Sequence, residues 1–549
     1  MKTDAFKWVQ KKPYLSYAAI LEAERVRLEM DRRARVALLP WHWSKHVDRE
    51  YERRGGVASE TARAWFEGVT DSARGRLPLS ASDDDLRAAA KQAASDGEGI
   101  AGLASVRSGE ALRALLADHC GRWGIEPPKG DEDLPAIRRM VCARWWLRRL
   151  RRVQGRKCDK AAIVGGVVRR GLWAYASQDA IDRRTAQRKR NARALDKAVV
   201  ECEASGESLK LAEVVAGSIA NPEVKRAELM VRIKGCDAIA AENSDACEFW
   251  TLTCPSRFHS QHIINAVSEP NPNYDKLTPK EAQIYLTKVW ARARAAWKRR
   301  GLRVFGLRTA EPHHDGTPHW HLIAYGPARD LRFARRLLRV YALRDSCDEP
   351  GAKKRRFVVI QAKAGSKGAA YAAKYVAKNI NAEGMAGDID HETGRKVTST
   401  VLRVDAWASV WGIRQFQFFG CPSISVWRTL RRMRGPVAVV GSMLERARSA
   451  ADDSDFAEFW RASVKGALAL IYRAADCLTA YGDAAAARVV GVAEGPGRRA
   501  LLPEKKWIIR WGGPGVAVDF DLPRSCVNNC TGPVSDDFAA MVLGGLRAG

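Results

Sequence analysis

Residues Glu311 to His321 read EPHHDGTPHWH, and the way this stretch folds organises everything around it. Asp315-Gly316 is the dipeptide of a tight hairpin turn. Its flanks, Leu302 to Glu311 (LRVFGLRTAE) and Pro318 to Tyr325 (PHWHLIAY), have the β-branched, aromatic and apolar content of two paired strands. Residues i and i+2 of a strand share a face, so His319 and His321 point together and Trp320 points away. Glu311 stands just before the turn on the partner strand, close to both imidazoles. Two imidazoles and a carboxylate can hold a divalent metal and leave positions open for water or substrate oxygens. A His-x-His pair also arises by chance in a chain with 10 histidines, and the carboxylate across the turn is what strengthens it. His313 and His314 flank the turn and read as turn or surface residues.

Working outward, Glu248 to Cys254 (EFWTLTC) alternates and reads as a strand; it carries no catalytic group and serves as support. Thr278 to Glu281 (TPKE) is a capping box with proline at the first helical position. Leu286, Trp290, Ala293 and Trp297 then share one helix face, and Gly301 ends the helix. Beyond the hairpin, Asp330 to Leu343 is helical, Phe357 to Ala362 is a strand, Gly365 to Gly368 a loop, and Ala369 to Ile380 a helix. Gly412 to Phe419 is a fifth strand, followed by a basic helix from Ser423 to Arg434. The order β-α-β-β-α-β, then α and β, predicts an α+β fold with a central antiparallel five-stranded sheet of the split βαβ type. The strand at Glu248–Cys254 should lie beside the strand at Pro318–Tyr325.

A second constellation is Tyr371 to Lys378 (YAAKYVAK). Tyr371 and Tyr375 share a helix face at i, i+4, with Lys374 and Lys378 alongside. An amphipathic helix burying two aromatic rings has the same spacing. Alanines at most other positions would let a ligand or backbone approach closely, and tyrosine can serve as a covalent nucleophile.

The chain has 549 residues, with 92 Lys and Arg against 63 Asp and Glu, a net charge of +29. An excess of this size points to a polyanion. Arg138 to Lys197 holds 19 Lys and Arg against 4 Asp and Glu, a net of +15. Hydrophobic residues are 46%, enough to exclude disorder throughout. No apolar run reaches the ~18 residues of a membrane span, and the N-terminus lacks the apolar core of a secretory signal. The 12 cysteines are scattered, and Cys526 and Cys530 lack a second Cys/His pair at zinc-finger spacing, so reduced thiols are expected. Four regions are expected: a helical N-terminal region over 1–130, a basic helical DNA-binding region over 131–240, a catalytic domain over 241–434, and a mixed, mostly helical C-terminal region over 435–549.

At these motifs the chain resembles the HUH endonucleases, named for their His-hydrophobic-His metal motif. Phe249 to Thr253 is similar to their first motif, Glu311 to His321 to their second, and Tyr371-x-x-Lys-Tyr375 to their third in its two-tyrosine form. The nearer resemblance is to the replication gene A protein family of tailed phages and prophages. Arg144 to Ile163, Glu228 to Ala240, Thr251 to His259 and Trp411 to Gly420 also carry it, so that it covers roughly residues 140 to 434. The resemblance implies a site-specific nickase that starts rolling-circle DNA replication. It makes Tyr371 and Tyr375 the nucleophiles, His319 and His321 metal ligands and Glu311 the acidic third ligand, with Mg²⁺ or Mn²⁺ bound. Lys374 would stabilise charge on the phosphate or phenolate.

It further implies origin DNA, single-stranded at the nick, with Arg138 to Lys197 on the duplex, in the cytoplasm of a bacterial host. No GxxxxGK[ST] loop is present, so unwinding falls to a host helicase and synthesis to a host polymerase. Three other readings compete. A transposase or relaxase of the same superfamily is the first, although a relaxase needs a third histidine that His319 and His321 do not supply. A non-catalytic DNA-binding protein would have lost a ligand or both tyrosines. A zinc-dependent hydrolase would give the paired tyrosines no role.

Overall fold

Five segments pair into one antiparallel sheet: β1 (Ala246–Leu252), β2 (Phe305–Pro312), β3 (Pro318–Gly326), β4 (Phe357–Gln361) and β5 (Phe416–Phe419). Their order is β5-β2-β3-β1-β4, so β1 lies beside β3 as its neighbour in the sheet, with Thr251 opposite His321. This is a computed structural model, and it describes residues 16–71, 75–102, 108–265, 267–361, 368–380, 387–390, 393–433, 435–437, 441–475, 477–503 and 507–511. Most of the loop expected at Gly365 to Gly368 falls outside these, as do Cys526 and Cys530.

Helices α1 (Ala143–Val164), α2 (Gln178–Asp196) and α3 (Pro222–Glu242) precede β1. α4 (Pro279–Arg299) links β1 to β2, and α5 (Ala328–Ala342) links β3 to β4. α6 (Gly368–Ile380) and α7 (Val397–Trp411) fall between β4 and β5. α4 starts as its sequence dictates: Thr278 Oγ1 accepts from the Glu281 N–H at 3.3 Å, and Glu281 Oε2 accepts from the Thr278 N–H at 2.7 Å.

The alternation of β1 and β3 sorts residues to two packed faces. On one, Trp250 and Trp320 meet Trp297 and Trp290 of α4 edge-to-face, with ring centroids 6.0 and 6.4 Å apart. The Trp320 indole donates to Gln283 Oε1 at 3.0 Å. Truncating a tryptophan this buried to alanine costs about 3–5 kcal/mol. On the other face, Phe249, Leu307 and Ile323 form a core with Leu229 and Ile233 of α3 and with Ala372 and Val376 of α6. The two histidines lie on this second face.

Two compact units divide the chain at Met1–Ala81 and Ser82–Gly549. In the first, helices Trp41–Arg53 and Glu60–Thr70 bury Trp43, Val47, Tyr51 and Phe66. In the second, several arginines of the basic stretch meet acid from elsewhere: Arg151 pairs with Asp83 at 2.7 Å, Arg184 with Asp405 at 2.6 Å, and Arg139 with Asp483 at 2.5 Å.

Two expectations are corrected. The stretch after α2 is not purely helical, because Ala198–Cys202 pairs with Ser208–Lys210 and with Trp507–Trp511. The described part of the C-terminal region is not mostly helical. After Met443–Asp452 and Phe456–Lys465, its described part forms a three-stranded sheet of Leu468–Arg473, Arg488–Glu494 and Arg498–Leu501. Frequent alanine and glycine hid short strands whose stability comes from packing against those helices rather than from β-propensity. Among the described residues no helix is long and apolar enough to cross a membrane.

Candidate metal and tyrosine site

The β2–β3 hairpin closes as its turn residues dictate. The His313 N–H donates to the Thr317 carbonyl at 2.8 Å, and Asp315 Oδ1 accepts from the Thr317 N–H at 3.0 Å. Gly316 takes φ +84°, and a β-carbon there would stand 3.1 Å from the Tyr175 carbonyl oxygen, so only glycine fits. The register sets Glu311 opposite His319 and Thr309 opposite His321. Glu311, His319 and His321 each offer a ligand atom, and the three atoms lie within 4.8 Å of one another.

The donor set fits a divalent cation. The Nε2 atoms of His319 and His321 face each other at 2.8 Å. Thr251 Oγ1 lies 3.1 Å from His321 Nδ1 and fixes that ring through its other nitrogen, the usual arrangement around a ligating histidine. Burial, with the charges of His313 and His321, holds the His319 pKa well below the usual imidazole value. The ring is therefore neutral, the form that ligates. His319 Nδ1 is buried and has no hydrogen-bond partner among the described residues.

α6 brings the tyrosines to this cluster. The phenol oxygens of Tyr371 and Tyr375 are 2.7 Å apart. The Tyr375 ring lies 4.5 Å from the His321 ring, and the Tyr371 ring packs 3.8 Å from Phe249. Burial pushes both phenol pKa values up; at Tyr371 the hydrogen bond with Tyr375 opposes this, and at Tyr375 the same bond adds to it. The side chain of Lys374 lies outside the described residues.

Four residues hold the arrangement, and of these only Lys378 is singled out in the sequence, as Lys374's partner beside the tyrosines. The Asn379 amide donates to Glu311 Oε1 at 2.5 Å and to the Tyr375 carbonyl at 2.7 Å. Lys378 Nζ stands 3.5 Å from Glu311 Oε2 and 3.1 Å from Asp390 Oδ1. Asp237 of α3 accepts from the Gly368 and Ala369 N–H groups, both at 2.9 Å, and so caps the first turn of the tyrosine helix. Thr251 is the fourth. Of these, Asn379 and Lys378 carried a readable signal, lying one helical turn beyond Tyr375 and Lys374.

His313 and His314 lie at the turn, as expected, but the turn is packed rather than open: His313 is half-buried. The His313 ring stacks 3.9 Å from His319, and His314 is buried. The turn is covered from above: the Tyr175 N–H donates to the His314 carbonyl at 3.2 Å, and the Trp407 indole donates to the Gly316 carbonyl at 2.7 Å. The Cys254 thiol is buried and its pKa is raised by that burial, which suits no nucleophile.

With this geometry in place, the family model described as bacteriophage replication gene A protein matches residues 120–383. Over this stretch the chain is similar to the replication gene A protein family. It is 38% identical over 414 residues to the probable replication protein P12 of Pseudoalteromonas phage PM2, covering 73% of this chain and 62% of the relative. To the replication gene A protein of Escherichia phage P2 it is 38% identical over 333 residues, 59% of this chain and 43% of the relative. To a probable replication endonuclease from a prophage-like region of Salmonella paratyphi A it is 36% identical over 309 residues, 56% of this chain and 38% of the relative. The chain thus spans less than two thirds of the length of these replication gene A relatives. No solved structure matches the chain.

Proposed function

We propose that this chain is a site-specific DNA endonuclease and strand transferase that initiates and terminates rolling-circle replication through a 5′-phosphotyrosine intermediate. The observation that carries this reading is the stacking of Tyr375 on His321, with the Tyr371 hydroxyl 2.7 Å from that of Tyr375. A zinc hydrolase would have no use for that pair. Similarity to the replication gene A protein family and the name of the Salmonella relative, probable replication endonuclease, support it. The sheet with its histidine pair is read as an HUH core, residues 241–434 as the catalytic domain and 131–240 as the origin-binding region.

Glu311, His319 and His321 would hold Mg²⁺ or Mn²⁺, which when bound supplies Lewis-acid polarisation of the scissile phosphate. The chain's own residues do the rest. One phenol oxygen attacks the phosphorus in line; the bond from phosphorus to the 3′ oxygen breaks, and a 3′-OH is left for a polymerase. Because burial disfavours free phenolate, the phenol loses its proton as the new bond forms rather than before. Lys374 and Lys378 balance negative charge gathering around the phosphate. The second tyrosine, one helical turn away, cuts the regenerated origin, and the new 3′-OH attacks the first phosphotyrosine and closes the circle. The substrate is single-stranded at the nick, a host helicase and polymerase extend the strand, and the protein acts in the host cytoplasm.

The test uses labelled single-stranded oligonucleotides tiled across the replicon that encodes the chain, with Mn²⁺ or Mg²⁺. A denaturing gel should show an SDS-resistant protein–DNA adduct that EDTA and the Tyr371→Phe/Tyr375→Phe double variant both abolish. Binding without adduct from any tile or from supercoiled DNA would sink the reading.

A further inference from the structure

We propose that the hairpin formed by Gln261–Ile264 and Val267–Pro270 is a wedge at the junction of duplex and single strand, its apolar tip stacking on unpaired nucleobases beside the nick. The proposal rests on the nickase reading above.

Behind the turn residue Asn265, exposed apolar side chains stand on both faces of the ribbon. Ile264 sits opposite Val267, and Ile263 opposite Ser268. Ile263, Ile264 and Val267 are 40%, 44% and 58% exposed. Three neighbouring β-branched side chains left in water mark a contact surface rather than chance scatter.

A two-stranded ribbon is marginal alone, yet this one is pinned at its base. The Asn271 amide donates to the Ser256 and His259 carbonyls, both at 2.8 Å, and its backbone N–H donates to the Ser260 carbonyl at 3.1 Å. The Ser260 N–H donates to Asp315 Oδ2 at 3.0 Å, and Asp315 is the turn residue of the metal hairpin. The tip therefore lies about 10 Å, three residues of strand, along the ribbon from a base fixed to the candidate site.

Its other flank belongs to the basic region. Arg169 donates to the Ser268 carbonyl at 3.4 Å, and a β-carbon on Gly166 would touch the Gln261 amide at 3.4 Å. The hairpin thus lies between the segment carrying a net +15 and the site that needs a single strand. That position suits one occupant, the bases of DNA as it opens. Apolar wedges between base steps are an established way to pay for unstacking.

The test compares the full chain with an Ile263→Ser/Ile264→Ser/Val267→Ser variant and with Val267→Ser alone, which keeps most of the tip. The probes are tiled single-stranded oligonucleotides and the supercoiled replicon. Permanganate reactivity of thymines, read in EDTA, reports opening without catalysis. The triple variant should nick single strands within about 2-fold of wild type and nick supercoiled DNA at least 10-fold more slowly. It should also lose the reactive thymines, with Val267→Ser intermediate. Wild-type opening and nicking of supercoiled DNA by the triple variant would overturn the wedge. So would an equal loss on single strands and supercoils, which would make the hairpin a support of the site, and so would capture of a protein partner with DNA opening unchanged. If the wild-type chain nicks nothing, the nickase reading fails by itself, while permanganate in EDTA still reports on the wedge.

Discussion

Asn379 and Glu311 are joined by a 2.5 Å hydrogen bond from the amide nitrogen that also reaches the Tyr375 carbonyl. Gln415 completes the clamp, donating to Asn379 Oδ1 at 3.2 Å. One buried side chain therefore couples the helix bearing the two tyrosines to the strand bearing Glu311, the proposed acidic ligand. Partners that orient a metal ligand typically matter 10–100-fold in metal affinity or activity. Asn379→Ala should raise the Mn²⁺ concentration for half-maximal adduct formation about 10-fold. An unchanged Mn²⁺ dependence with a lower plateau would reduce Asn379 to packing.

The 2.7 Å contact between the Tyr371 and Tyr375 hydroxyls places either oxygen within reach of one phosphate. Tyr371→Phe and Tyr375→Phe should each still form adducts on single-stranded oligonucleotides, within about 10-fold of wild type. Release of closed circles needs both, and should fall by more than about 100-fold in each single variant. Gel separation of adduct from circle decides this. If one substitution alone removes every adduct, alternation between the two is wrong.

The hairpin, its turn and the β1–β3 adjacency were legible because local chemistry fixes them: Asp315-Gly316 sets the turn, and period-2 alternation sets the faces. The His319, His321 and Glu311 cluster followed from that register. Asp237 was illegible, since it reaches α6 across 131 residues of sequence and nothing in its own helix marks it. The burial of His314 was equally hidden, because the cover over the turn comes from Tyr175 and Trp407, far away in the chain. The short strands after residue 465 lack a periodic signal of their own and form against helices that precede them.

The Asp237 cap makes a prediction opposite in kind to that for Asn379. Its carboxylate meets two orphan N–H groups at the positive end of α6 and also accepts from the Tyr325 hydroxyl at 2.8 Å. In Asp237→Asn the amide nitrogen must face one of these donors, and the charge at the helix end is gone. The expected loss is about 1–2 kcal/mol of stability and a 10-fold slower adduct rate at saturating Mn²⁺. The Mn²⁺ midpoint should not move, because the metal ligands sit on the β2–β3 hairpin. A shifted midpoint would show that Asp237 acts on the ligands instead.

Asp315 gives the hairpin a pH signature. Burial works to raise the carboxyl pKa, but the pairing with His259 and the charges of His314 and His313 together outweigh it and hold the group well below the usual carboxylate range. Asp315 Oδ2 accepts from the Ser260 N–H at 3.0 Å and pairs with His259 Nδ1 at 3.2 Å. A depressed folded pKa means that the stabilisation is fully present above the unfolded value of about 4 and drains away as pH falls below it. Asp315→Asn should therefore lower the melting temperature clearly at pH 6 to 7, where the lost interactions are worth about 1–3 kcal/mol. The gap between variant and wild type should narrow steadily as pH falls from about 4 to about 3, because Asp315 of the unfolded chain takes up a proton that the folded protein resists. Near-UV circular dichroism melts across that range check the sign directly: a gap that stays constant, or widens in acid, would mean that the carboxylate charge does not hold the turn.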